Sequence, residues 1–156
     1  MIEGVKIKEL VQHMDNRGYL MELLRGSDKE KADGKNAFGQ VYLSTLYPAV
    51  IKGKHLHKKQ TDHMAVIKGI AALHLEDGRE GSKTRGQKEV IIMGEGNWKL
   101  VAIPPGVWHS FENTGADVCF FINYVTHEYD PKNPDEHRGT FDLKEKRMKT
   151  EVSAVG

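Results

Sequence analysis

The sequence predicts an all-β fold, and three observations carry that expectation. Short apolar stretches recur at regular spacing, each closed by a turn residue. Glycine is abundant, at 16 residues, while the 5 prolines fall in three places: Pro48, Pro104-Pro105, and Pro131 with Pro134. No long stretch shows helical periodicity. Regular short strands point to a sandwich or barrel, not to alternating β and α units.

The elements follow in chain order. Val5–Val11 can form a first strand. Gly26–Asn36 is charged and reads as a loop or a short surface helix. Gln40–Leu46 alternates and is rich in β-formers. Val50–His57 comes next, then Met64–Ile67, stopped by Gly69. Ile70–Leu75 ends in the turn signal Asp77-Gly78. Glu89–Met93, Lys99–Ile103 and Val118–Val125 complete the set. Thr140–Gly156 is mostly polar and is expected as a helix, an edge strand or a loose tail. No repeat, low-complexity tract or linker marks a second domain, so residues 1–156 are expected as one domain.

The chain of 156 residues carries 23 Lys plus Arg against 22 Asp plus Glu, a net charge of +1. This balance excludes nucleic-acid binding held by bulk positive charge. No apolar run approaches the ~20 residues of a membrane helix. The first residues lack a basic region followed by an apolar one, so no secretory signal is expected. The single cysteine, Cys119, lies among apolar neighbours and is expected as a buried, inert thiol. Together these point to a cytoplasmic protein.

Of the 8 histidines, His13, His74, His127 and His137 are isolated and need no special role. His55 and His57 are two apart, so a strand would send both to one face. Asp62 follows after four residues and Gly69 after six more. Later comes Pro104-Pro105-Gly106-Val107-Trp108-His109, with Asn113 beyond. If His55, His57 and His109 shared the lumen of a barrel, three imidazoles and the Asp62 carboxylate could bind a divalent metal or perform acid–base chemistry. Lys52, Lys54, Lys58 and Lys59 surround the histidines, as a rim for an anionic substrate or as solvated edge lysines. Trp98 is expected to pack, and Trp108 to face out of the barrel or toward another subunit.

The two histidine stretches resemble the paired signature motifs of the cupin superfamily. That likeness implies a double-stranded β-helix, or jelly roll, with its pocket in the barrel mouth. A closer resemblance is to the dTDP-4-dehydrorhamnose 3,5-epimerase family. It rests on Asp15-Asn16-Arg17-Gly18-Tyr19 with Glu22, Phe38-Gly39-Gln40-Val41 with Ser44, and Lys52-Gly53-Lys54-His55. It continues through Asp77-Gly78-Arg79 with Ser82 and Thr84, Pro104–Phe111, and Tyr129-Asp130-Pro131.

The resemblance implies a cofactor-independent epimerase of a nucleotide-activated 4-keto-6-deoxy sugar, working as a homodimer that often exchanges N-terminal strands. His55 takes the position of the catalytic base and Lys52 that of the enolate-stabilising cation. His109 lines the pocket and Tyr124 is the acid. Arg17, Tyr19, Glu22, Gln40 and Lys54 would hold the substrate. Lys52 and His55 are three positions apart, so the reading requires a bulge at Gly53 to bring them to one face.

The chain departs from that pattern at His57 and Asp62, where the family has Gln and Lys. Counted without gaps from Tyr129, the acid tyrosine falls on Asn123, and a one-residue shift places it at Tyr124. The late Asp that partners the base in that family has no clear match here, with Asp142 one candidate. These departures support an alternative, a metal-dependent cupin enzyme whose divalent transition metal is held by His55, His57, Asp62 and His109. A third reading is a sugar-binding cupin without catalysis.

Overall fold

A β-strand shows alternate side chains to opposite faces, so a strand packed on one side needs apolar residues at every second position. The chain meets this requirement repeatedly. In the computed structural model the described residues are 1–28, 31–32, 35–36, 38–142 and 147–154, with backbone alone for 31–32, 35–36, 140–142 and 147–154.

Five strands form one antiparallel sheet in the order β1 (Lys6–Glu9), β11 (Lys99–Ile103), β8 (Asp62–Lys68), β13 (Cys119–Val125), β6 (Gln40–Leu46). Six form a second: β10 (Lys88–Gly94), β9 (Ile70–Asp77), β12 (Val107–Asn113), β7 (Ile51–Leu56), β14 (His137–Asp142), β15 (Arg147–Ala154). Two small hairpins, β2 (Gln12–Asp15) with β3 (Gly18–Met21) and β4 (Lys31–Ala32) with β5 (Lys35–Asn36), stand apart from both sheets. The layout is the jelly roll expected from the paired histidine motifs. The expected strands coincide with β6 and β11 and differ from the others by a few residues. Of the stretch Gly26–Asn36, expected as a loop or short surface helix, Gly26–Asp28 is a single 3₁₀ turn, Lys31–Ala32 and Lys35–Asn36 pair as strands, and 29–30 and 33–34 lie outside the described residues. The C-terminal stretch, expected as helix, edge strand or tail, supplies strand residues, with β15 at the edge of its sheet.

The core lies between the sheets. Met64 and Val66 from β8, Leu73 and Leu75 from β9, Met93 from β10, Val101 and Ile103 from β11, and Val107 and Phe111 from β12 all bury their side chains there. Phe111 stacks on Phe121 of β13 with ring centroids 4.7 Å apart. Each fully buried side chain of this size contributes about 1.5–3 kcal/mol relative to exposure. Cys119 is buried in the same cluster, and burial pushes its thiol up to about 11, which keeps it protonated and inert. A second apolar cluster, Leu10, Ala65 and Leu100 with Met21, Leu23, Leu24 and Trp98, covers the outer side of the five-stranded sheet with the N-terminal segment.

The interior changes character along the strands. On β13 the inward positions run Cys119, Phe121, Asn123; on β8 they run from Val66 and Met64 to Asp62. One end of the barrel is therefore dry and apolar, and the other carries polar side chains. No helix among the described residues is long and apolar enough to cross a membrane.

Candidate functional site

The polar end is built on an irregularity in β7. Its pairing with β12 matches Lys52 to Phe111, Gly53 to Ser110 and His55 to His109, leaving Lys54 without an opposite number. Only a glycine fits at 53. Its φ is +104°, and a Cβ there would lie 2.8 Å from the His109 carbonyl oxygen. The extra residue restores register, so Lys52 and His55 share the face that carries Phe111 and His109, with the Lys52 side chain exposed there. The bulge required by the sequence reading is present.

The same bulge sends Lys54 the other way. Its side chain is fully buried on the outer face of the six-stranded sheet, with Nζ 3.3 Å from Glu76 and 5.2 Å from the centre of the Trp108 ring. The expectation that Lys54 holds substrate is therefore corrected, because it does not reach the lumen. Trp108 faces outward, as one of its two expectations had it.

Inside, three imidazoles converge. Ring centroids lie 4.3 Å apart for His55 and His109, and 5.5 Å apart for both pairs that include His57. Asp62, 1% exposed, places Oδ2 3.0 Å from His109 Nε2 and 3.5 Å from His57 Nε2. Its other oxygen accepts a 2.6 Å hydrogen bond from Gln60 Nε2. One donor atom from each of His55, His57, Asp62 and His109 falls within 4.8 Å of the others.

The ring orientations are fixed from behind. His109 Nδ1 lies 3.1 Å from the Val107 carbonyl, and His57 Nδ1 contacts the Asp135 carbonyl. Each Nδ1 therefore carries hydrogen, and each Nε2 faces Asp62. Asp62 Oδ2 and His109 Nε2 are both buried without an aligned hydrogen bond. Two acceptors this close need a proton or a cation between them.

Electrostatics follows from this arrangement. Burial, with the neighbouring His109 and His57 rings, pushes His55 down to about 2, so it is neutral at pH 7. Burial opposes charge on His57 too, but the Asp62 carboxylate outweighs it and raises this imidazole above its ordinary value. Burial alone would raise Asp62; the His109 and His57 rings hold it well below the usual carboxylate range.

A cavity of about 210 Å³ opens beside the cluster, lined by His57, Gln40, Tyr42, Tyr129 and Asp135 among others. Gln40 Oε1 accepts from the Tyr129 N–H at 3.1 Å, and Lys52 Nζ donates to Ser44 Oγ at 3.1 Å.

A family model described as the polysaccharide biosynthesis C-terminal domain matches residues 13–137. The chain belongs to the polysaccharide biosynthesis C-terminal domain family. Relatives of this family include the spore coat polysaccharide biosynthesis protein SpsL of Bacillus subtilis, 42% identical over 91% of each chain. Another is the "probable low-salt glycan biosynthesis epimerase Agl13" of Haloferax volcanii, 34% identical over 90% of this chain and 89% of that one. Among solved structures, a dTDP sugar isomerase from Desulfovibrio desulfuricans G20 superposes with a TM-score of 0.79 at 28% identity, covering 92% of this chain and 88% of that one. The resemblance to dTDP-sugar epimerases read from the sequence is borne out by these neighbours.

The structure gathers His55, His57, Asp62, His109 and Lys52 on the lumen side, with Gln40 in the adjoining cavity. It separates four other candidates from them. Tyr124 lies on the outer face of β13, where its ring packs 5.2 Å from His63 and 5.6 Å from Phe38. Its expected role as the acid is corrected: β13 pairs Tyr124 with His63 and turns Asn123 inward. Arg17 and Tyr19 are exposed on the β2–β3 hairpin, where Arg17 pairs with Asp15 at 2.5 Å. Glu22 pairs with Arg25 and Lys8. The side chain of Asp142 lies outside the described residues. Sequence reasoning missed Asp135, whose carboxylate accepts the N–H groups of Lys58, Lys59 and Gln60 at 2.9, 2.8 and 3.0 Å. It fixes the turn after His57, and the Pro134-Asp135 turn chemistry is the one signal that marks it.

Proposed function

We propose that this protein epimerises a nucleotide-activated 4-keto-6-deoxy sugar by removing and returning a proton next to the ketone. The observation that supports this most is the bulge at Lys54, which puts a neutral imidazole and a lysine cation on one face of the lumen. Protons at C3 and C5 of such a sugar are acidic because the C4 carbonyl accepts the charge as an enolate. His55 takes the proton, and Lys52 stabilises the developing oxyanion. His109 stands beside His55 on the neighbouring strand of the same sheet and lines the reacting centre with it. Gln40 contributes to the cavity that receives the substrate.

The test is exchange with solvent. Incubated in deuterated water with a dTDP- or UDP-linked 4-keto-6-deoxyhexose, the protein should introduce deuterium at C3 or C5, seen by NMR. Absence of exchange with all such substrates would overturn the reading.

A specific observation supports a second reading of the same residues. The unpaired Asp62 Oδ2 and His109 Nε2 are satisfied either by a proton, forming an imidazolium, or by a divalent cation held by His55, His57, Asp62 and His109. The donor set of three nitrogens and one carboxylate fits such an ion, which would act as a Lewis acid toward the ketone oxygen. The metal-free reading expects less than about 0.1 metal per chain after purification without an affinity tag, and exchange unchanged by chelator. Near-stoichiometric metal that is lost in His57→Ala would establish the second reading.

We also propose a cytoplasmic homodimer. Its support is the exposed apolar set Tyr19, Leu20, Phe38, Val41 and Leu43, each at least half exposed. Tyr19 and Leu20 lie with Arg17 on the β2–β3 hairpin, an N-terminal segment that a second copy could receive. Light scattering that returns a monomer mass would refute this arrangement.

A further inference from the structure

Inversion requires a proton donor on the face of the sugar opposite the base, and Tyr124 does not supply one. The lumen position on β13 belongs to Asn123, fully buried, whose amide does not release a proton at neutral pH. A phenol reaches the same place from the neighbouring strand. Tyr42 of β6 is directly opposite Asn123 in the β6–β13 register, so the two share a face.

The hydrogen bonds between them have a fixed direction. Asn123 Oδ1 accepts from the His63 backbone N–H at 3.1 Å. Its Nδ2 therefore turns toward Tyr42 and donates to the phenolic oxygen at 2.8 Å. This bond uses a lone pair of Tyr42 and leaves its own O–H free. Tyr42 also lines the 210 Å³ cavity together with His57 and Gln40.

We propose that Tyr42 is the proton donor that completes inversion, held in place by Asn123 as a positioning residue; this rests on the epimerase reading above. His55 takes a proton from the substrate carbon, giving an imidazolium and an enolate. The Tyr42 O–H bond breaks as a new C–H bond forms on the opposite face, leaving a phenolate. Solvent then returns a proton to Tyr42 and removes one from His55, so substrate and product are isomers. Burial and the Asp62 charge push the phenol up to about 12, so it is protonated throughout the neutral range. Tyr129 is the other phenol lining this cavity and is 56% exposed, whereas Tyr42, at 38%, is held by Asn123.

Exchange and inversion can be separated. In deuterated water, with a nucleoside-diphosphate 4-keto-6-deoxyhexose, the unaltered protein should give both deuterium incorporation and epimer. Tyr42→Phe should keep incorporation within about threefold, because His55 alone can remove and return a proton on one face, while epimer formation falls by about 100-fold. Asn123→Ala should show the same split, about 10-fold, with the fold checked by circular dichroism. Tyr129→Phe should keep the ratio of epimer formed to deuterium incorporated at that of the unaltered protein, whatever it does to substrate affinity. Epimer formation by Tyr42→Phe within about threefold of normal, or loss of inversion in Tyr129→Phe alone, would overturn the proposal. Loss of incorporation and inversion together in Tyr42→Phe also counts against it. No incorporation by the unaltered protein would instead bring down the epimerase reading, and this assignment with it.

Discussion

Replacing His55 with asparagine should lower kcat/KM for epimer formation by about 10³ and stop deuterium incorporation as well. The second effect distinguishes this variant from Tyr42→Phe, because no carbanion forms without the base. His55 is the imidazole that the bulge at Lys54 returns to the lumen, opposite His109. Stability should move differently from activity. His55 is pushed down to about 2 by burial and by its two neighbouring rings. In an unfolded chain it titrates near ~6.5. Between these values the unfolded state binds a proton that the folded state refuses, so stability falls as pH drops below ~6.5. His55→Asn removes that proton uptake and should show a shallower loss of stability from about pH 6.5 to pH 4 in denaturant titrations. Equal slopes would mean that this imidazole is not held neutral. The pH dependence of activity carries a complementary expectation. A base that is neutral from pH 5 to 8 gives no acidic limb of its own. His57 is raised by Asp62, keeps its proton below its folded pKa and loses it above, so a limb above the ordinary imidazole range belongs to His57.

The split between what the sequence revealed and what it concealed has one main cause, the strictness of strand alternation. Strand β6 was legible to the residue because its two faces differ in polarity, and β11 because it is a short apolar run closed by turn residues. The paired histidine motifs were legible because two imidazoles at a spacing of two share a face in any regular strand. Alternation also misled wherever a local break intervened. The bulge that reunites Lys52 with His55 ejects Lys54, so nearness in sequence to the histidines did not mean nearness in space. At the other wall, shifting the acid from Asn123 to Tyr124 restored a tyrosine but violated the register, since one residue along a strand is the opposite face. The cavity phenol that Asn123 holds comes from β6, a strand read correctly without its tyrosine being singled out. The β2–β3 hairpin was not read as strand at all, because its residues are mostly exposed on both faces and give no alternation to read.

Changing Asp77 to alanine should cost about 3–5 kcal/mol and lower the melting temperature by roughly 6–20 °C, the largest stability effect expected from one polar substitution here. Asp77 ends β9, opposite Val107, and is 1% exposed. Oδ1 accepts from the Arg79 backbone N–H at 3.1 Å and from Nε at 2.8 Å. Oδ2 accepts from Arg79 Nη2 at 2.8 Å, Ser82 Oγ at 2.6 Å and Thr84 Oγ1 at 2.5 Å. The same guanidinium donates to the Glu3 carbonyl at 2.6 Å, and the Glu3 N–H donates to Thr84 Oγ1 at 2.9 Å, so the knot also anchors the N-terminal segment. Alanine would leave a guanidinium, two hydroxyls and a backbone N–H without their acceptor. Arg79, with Ser82 and Thr84, holds this carboxyl well below the usual carboxylate range although burial opposes them. A group depressed on folding contributes stability above its unfolded value near ~3.9 and loses it as pH falls through the folded value. The unaltered protein should therefore lose stability steeply below about pH 4, and Asp77→Ala less steeply from a lower starting point. Val107 supplies the carbonyl that faces His109 Nδ1, so the loop is tied to the site through one strand pair. At a temperature where the variant remains folded, deuterium exchange should stay within about threefold of normal, whereas a melting temperature lowered by less than about 2 °C would show that the knot is not what secures the barrel's closing turn.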